Sequence, residues 1–187
     1  MNAYIVTEGE FHTALLSRLL AEEISRKVRV VSASTRSGAR SLARSLVATR
    51  RRPVALVLDA RTTDETLIRE ELLVTREFLA MASPGIPTEV FMAVPSVGVL
   101  LFKDRGLLPR LVPGGVSEDN WVRGRYEPEQ VLQEILRIGK VPMHDPKDLV
   151  RSLTDDDVAQ MRKHSPVSEI LAFLQETALT GAVEAPS

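Results

Sequence analysis

The stretch that decides the fold is AYIVTEGEFHTALLSRLL, Ala3 to Leu20. Its first residues, Ala3 to Val6, are short, β-branched and aromatic, and read as a strand. The chain then passes through Thr7-Glu8-Gly9-Glu10 straight into a helix, with Leu15, Leu16, Leu19, Leu20 and Ile24 at helical spacing. A second stretch, PVALVLDARTTDE (Pro53 to Glu65), repeats the plan. Val54 to Leu58 is a nearly continuous apolar run, the mark of a strand buried on both faces, and it ends in Asp59. Two strands that each deliver a carboxylate at the carboxyl end raise one question: do Glu8 and Asp59 meet?

The elements around these stretches favour that meeting. Val28 to Val31 reads as a strand. STRSGARSLARSLVATRRR is a helix with Ala39, Leu42, Ala43, Leu46 and Val47 on its buried face and Arg36, Arg40 and Arg44 on another stripe. A helix follows over about 64–82, closed by SPGIP, and Glu89 to Val94 is a further strand. The order β-α-β-α-β-α-β predicts a mostly parallel sheet flanked by helices, with the carboxyl ends of its strands along one edge. From Lys103 to Arg125 the chain is rich in Gly and Pro and reads as an insertion or surface flap. Helices are expected over about 128–138, after Thr154 as cap of the Asp155-Asp156-Asp157 turn, and after Ser165 as cap with Pro166 in the first turn. The final TGAVEAPS reads as a frayed tail.

Composition narrows the function classes. The 187 residues suit one domain, and 44% hydrophobic residues supply a core. A net charge of -1 gives no global attraction to nucleic acid or membrane, so any such binding must be local. Without cysteine there is no disulfide, thiolate metal site or thiol nucleophile, which fits a reducing cytoplasm. No signal peptide or membrane span is expected, and the protein is read as cytoplasmic, with no membrane partner.

A strand ending in TEGE, a helix, and a later apolar strand ending in Asp resemble the Toprim fold. That is the catalytic domain of topoisomerases, primases, overcoming-lysogenization-defect nucleases and several phage-defence effectors. In that family a Glu-Gly ends the first strand and an Asp-x-Asp follows a later one. Glu8 and Gly9 match the first element and Asp59 the first aspartate, and the resemblance runs from Ala3 to Phe102. It implies a Toprim-like α/β domain over 1–126, with a helical C-terminal extension over 127–187 packed on it. It also implies a Mg²⁺ site at Glu8 and Asp59, these being the candidate catalytic residues. Mg²⁺ takes carboxylate oxygens, waters and substrate phosphates, and polarises a phosphate for transfer.

Three family positions depart from the pattern. The second aspartate falls at Arg61, a glutamate of a Pro-x-x-Glu context at Gly98, and an acid four residues after the first glutamate at His12. Asp64 is the nearest substitute ligand if its loop curls back. A cation at Arg61 repels a divalent ion, so the resemblance implies a Toprim-like scaffold whose metal site is weakened or lost. Its role is then to bind nucleic acid, a partner ATPase or another protein subunit in a nucleic-acid-processing or phage-defence system. The alternatives are an active Mg²⁺-dependent nuclease using Glu8, Asp59 and Asp64, and an unrelated α/β interaction protein.

Each motif also has a plainer reading. Thr7-x-x-Glu10 has capping-box spacing, and a lone Asp after a strand is commonly a turn residue. Arg36, Arg40 and Arg44, with Arg61, are the candidates to contact nucleic acid, yet a basic helix stripe also serves as a solvated face.

Overall fold

The computed structural model describes residues 2–179; the expected tail at 180–187 lies outside them. The elements are β1 (Ala3–Thr7), α1 (Glu10–Leu19), α2 (Glu22–Ser25), β2 (Val28–Ser32), α3 (Arg36–Arg50), β3 (Val54–Asp59), α4 (Glu65–Ala80) and β4 (Thr88–Ala93). A 3-10 helix (Val97–Phe102) leads to α5 (Leu107–Leu111), α6 (Glu118–Arg123), α7 (Pro128–Ile138), α8 (Pro146–Arg151), α9 (Asp155–Met161), α10 (Val167–Leu174) and a π turn (Gln175–Leu179). The four strands form one sheet in the order β2-β1-β3-β4, every pair parallel. The α/β class and the parallel, helix-flanked sheet are therefore as the residue pattern predicts.

The central strands are apolar throughout because each serves two cores. β1 and β3 are buried along their whole length. Side chains alternate across a strand, so Tyr4, Val6, Val54, Leu56 and Leu58 meet Ala39, Ala43 and Val47 of α3 and Leu79 of α4 in one cluster. Ala3, Ile5, Ala55 and Val57 face the other way, onto Leu15, Leu16 and Leu19 of α1 and a set of helices from the C-terminal half. Val131, Leu132 and Ile135 of α7 and Ile170 and Leu174 of α10 belong to this second cluster.

Local readings differ from expectation at three places. The segment 103–125 is no surface flap: α5 and α6 bury Leu107, Leu108, Leu111 and Trp121 in the second core. Its Gly and Pro residues mark breaks between short helices, not exposure; a Cβ at Gly124 would lie 2.1 Å from the Phe102 ring. The TEGE capping box does not form. Gly9 is the N-cap of α1, with no side-chain cap, and Thr7 ends β1, its hydroxyl paired with Thr13 Oγ1 at 2.9 Å. Glu10 instead reaches Lys147 Nζ at 2.7 Å. Last, α10 starts at Val167 on Pro166, while the Ser165 hydroxyl donates to Glu169 Oε1 at 2.6 Å. The Thr154 cap is formed as expected, with Asp157 completing its capping box.

Candidate functional site

Three strand ends place the site. Glu8 follows the last residue of β1, Asp59 is the last of β3, and the 3-10 helix follows β4 after a short turn. The ladder between β3 and β4 continues past Asp59, with Ala60 N–H on Ala93 O at 2.8 Å and Arg61 N–H on Pro95 O at 2.7 Å. Parallel pairing thus draws the loops after β1, β3 and β4 to one edge, where ligands bind in sheets of this kind.

Glu8 and Asp59 do meet there, both nearly buried. The contact is not the shared metal edge that two free carboxylates would make. Asp59 N–H donates to Glu8 Oε1 at 2.9 Å, and Arg61 Nη2–H donates to Glu8 Oε2 at 2.5 Å. Arg36 adds a second guanidinium, with Nε 3.8 Å from Glu8 Oε1 and 3.0 Å from Glu71 Oε1 and Nη2–H donating to Asp59 O at 2.6 Å. A cation in the first turn of a helix opposes the macrodipole. Arg36, first residue of α3, is offset there by the Glu8 and Glu71 carboxylates. Arg61 holds its place in the left-handed region, at φ 58°, a conformation that costs a non-glycine residue of order 1 kcal/mol or more.

Asp59 is gripped on both oxygens. Val97 N–H donates to Oδ1 at 2.9 Å, and His12 Nε2 lies 2.7 Å from Oδ2. A carboxylate only accepts, so the imidazole donates. Burial disfavours the imidazolium, but the hydrogen bond to Asp59 and the charges of Asp59, Glu129 and Glu8 outweigh it and raise the His12 pKa above its usual range.

Glu129 enters from a distance in sequence. It lies in the first turn of α7, behind Pro128 at N1, where an acidic side chain is favoured. Ser96 Oγ–H donates to its Oε1 at 2.5 Å and Gly98 N–H at 3.3 Å. His12, Asp59 and Glu129 each offer one ligand atom, all within 4.8 Å of one another, and they are the one such group of three among the described residues. This group can hold a metal ion.

Of the candidates from sequence, then, Glu8, Asp59, Arg36 and Arg61 come together. Asp64 does not join them: it is exposed, and its Oδ1 caps α4 by accepting from Thr66 N–H at 2.9 Å and Leu67 N–H at 3.2 Å. Glu8 and Asp64 both stand outside the three-ligand group. Arg40 and Arg44 lie over the Phe78 ring, 5.3 and 4.7 Å from its centroid, away from the Glu8 cluster that Arg36 joins. Glu129 belongs to no motif in the sequence, and His12 stands there only where the resembled family has an acid. The signal that points to Glu129 is Gly98, the second residue of the 3-10 helix, where the lack of a side chain leaves room for another one.

Mg²⁺ asks for near-octahedral oxygen ligands at about 2.1 Å and keeps several waters. Glu8 does not fit that need, since both its oxygens already accept hydrogen bonds and guanidinium groups stand against them. Among the described residues no helix is long and apolar enough to cross a membrane. Comparisons with family models, with curated proteins and with solved structures found no match to this chain.

Proposed function

We propose that the chain is a Toprim-like cytoplasmic subunit that has given up metal-dependent cleavage at the Glu8–Asp59 edge and serves a nucleic-acid-processing or phage-defence system by binding a partner protein, an ATPase or another subunit. One observation carries the reading: the Glu8 carboxylate is closed by Arg61 at 2.5 Å and the Asp59 amide at 2.9 Å, with only 4% of its side chain exposed. A carboxylate so engaged is a structural anion. Freeing it for Mg²⁺ would strand the Asp59 amide and uncover a buried charge, each a penalty of about 1–3 kcal/mol or more.

Protein binding is supported over nucleic-acid binding by the surface. Leu67, Leu73 and Val74 of α4, with Met81 at its end, are more than half exposed, a concentration of apolar area typical of interaction sites. Of the four arginines expected to face nucleic acid, Arg36 and Arg61 are turned to Glu8.

The test is cleavage. Purified protein with Mg²⁺ or Mn²⁺ and single- or double-stranded DNA or RNA is expected to leave the substrate intact. Cleavage abolished by Glu8→Gln overturns the reading in favour of the Mg²⁺-dependent nuclease. Capture experiments are expected to recover a protein that Leu67→Glu/Val74→Glu no longer retains; a chain that stays strictly alone removes the partner from the proposal.

A further inference from the structure

The Glu129 carboxylate lies against Gly98, where any side chain would have to displace it. A Cβ built at Gly98 would lie 2.7 Å from Glu129 Oε1, 3.2 Å from its Cδ and 3.3 Å from Pro128 Cβ. In that space Ser96 Oγ–H and Gly98 N–H both bond Oε1. The neighbouring amide, Val97 N–H, bonds Asp59 Oδ1. Consecutive amides at the start of the 3-10 helix therefore orient two carboxylates by one oxygen each. Hydrogen bonds of this kind, made to the outer side of a ligand, are what hold first-sphere ligands in metal sites.

Charge points the same way. Glu8 faces two guanidinium groups, Arg61 and Arg36. Asp59 and Glu129 have no lysine or arginine ion pair among the described residues; the only basic side chain paired with Asp59 is His12, and Glu129 has none. Two carboxylates this close in a largely buried setting repel, and a divalent charge between them would relieve that repulsion more fully than the single charge His12 can carry. With a neutral imidazole as third donor, such an ion would balance them in full.

We propose that His12, Asp59 and Glu129 form a site for one borderline divalent ion of the Zn²⁺ kind, distinct in its ligands from a Glu8-based Mg²⁺ site. An imidazole nitrogen beside two carboxylate oxygens suits Zn²⁺ better than Mg²⁺, whose ligands are oxygens. His12 Nε2 and Asp59 Oδ2, 2.7 Å apart, stand near the roughly 3 Å that separates adjacent ligands at zinc bond lengths of about 2 Å. Glu129, the least buried of the three, is the ligand that closes in. Three protein ligands leave a fourth position open, as zinc sites that bind water or a small ligand do. The site does not rest on the partner-binding reading, since it leaves Glu8 and Arg61 as they are.

The experiment uses the whole chain after treatment with a chelator. Calorimetric titration with Zn²⁺ is expected to show one ion per chain, bound at least about tenfold more tightly than Mg²⁺. Glu129→Gln and His12→Gln are each expected to weaken Zn²⁺ at least about tenfold, and Ser96→Ala about tenfold through the orientation of Glu129. Arg61→Ala, which removes a contact of Glu8, is expected not to weaken it. In the unsubstituted chain, ring ¹⁵N spectra are expected to show Zn²⁺ moving the His12 signal, a readout that does not depend on how any variant folds. Absence of stoichiometric uptake, equal affinity for Mg²⁺, unchanged affinity in Glu129→Gln, or a shift at His144 or His164 in place of His12 would each overturn the proposal. Because binding is read directly, a failed site and an active nuclease give different results.

Discussion

Glu8 and Glu129 reach the same sheet edge from opposite halves of the sequence, and they are neutralised by different means. Glu8 leaves β1 and is met by Arg61 and Arg36, cations that keep their charge at any ordinary pH. Glu129 descends from α7 beside Asp59, and among the described residues the only basic side chain in the group with them is His12. Fixed guanidinium groups make the Glu8 half permanent. A histidine makes the Asp59–Glu129 half exchangeable, because the imidazole can carry a proton or offer a lone pair to a metal. One edge of one sheet thus holds a closed half and an open half.

Asp59 belongs to both halves, to the closed one through its amide and to the open one through its carboxylate, and loss of that carboxylate is expected to have the largest effect. Asp59→Ala strands the Val97 amide and leaves His12 buried without its acceptor. The expected loss is about 3 kcal/mol, read from the urea midpoint at unchanged m-value. A loss below about 1 kcal/mol would mean that the Asp59 carboxylate is not what holds His12 and the Val97 amide in place.

Next comes the space behind Glu129. Gly98→Ala places a methyl where the Glu129 carboxylate lies and is expected to cost about 2 kcal/mol. In a Glu129→Ala background the same change is expected to cost little, a coupling of at least about 1 kcal/mol in a double-mutant cycle. Equal costs in both backgrounds would show that the glycine serves something other than the carboxylate.

What was legible in the sequence follows from range. The apolar runs of β1 and β3 specify strands buried on two faces, and parallel order alone brings Glu8 to Asp59. The roles of those carboxylates were not legible, because they depend on where long side chains end. Arg36 read as one member of a stripe with Arg40 and Arg44, yet it turns to Glu8 while the others lie over Phe78. Glu129 lies 70 residues beyond Asp59 in an amphipathic helix where an acid in the first turn needs no further reason. The α5–α6 segment misled in the opposite sense, since its glycines and prolines were read as exposure when they separate short buried helices.

The closed half can be loosened in a graded way. Arg61 is 62% exposed on its side chain, so Arg61→Ala is expected to cost only about 1 kcal/mol despite the burial of Glu8. Arg61→Gly loses the same ion pair but removes the left-handed penalty at φ 58°. It is expected to be more stable than the alanine variant by roughly 0.5–1 kcal/mol. The reverse order would show that backbone strain at this position is borne elsewhere.

The smallest effect is the one that separates the halves by pH. In chelator, the folded chain holds the His12 pKa above its ordinary 6.5, because the bond to Asp59 and the nearby carboxylates outweigh burial. A group whose folded pKa is raised stabilises the fold in its protonated form. That contribution is fully present below about 6.5 and is lost as pH rises through the folded value. Stability of the metal-free chain is therefore expected to decline as pH rises above about 6.5 and through the raised folded value, and His12→Gln should flatten that decline. Arg61→Ala should shift the whole profile down and leave its slope alone, since a guanidinium does not titrate there. Urea midpoints across the pH series measure both. If the slope follows Arg61 and not His12, the exchangeable cation of this edge has been assigned to the wrong half.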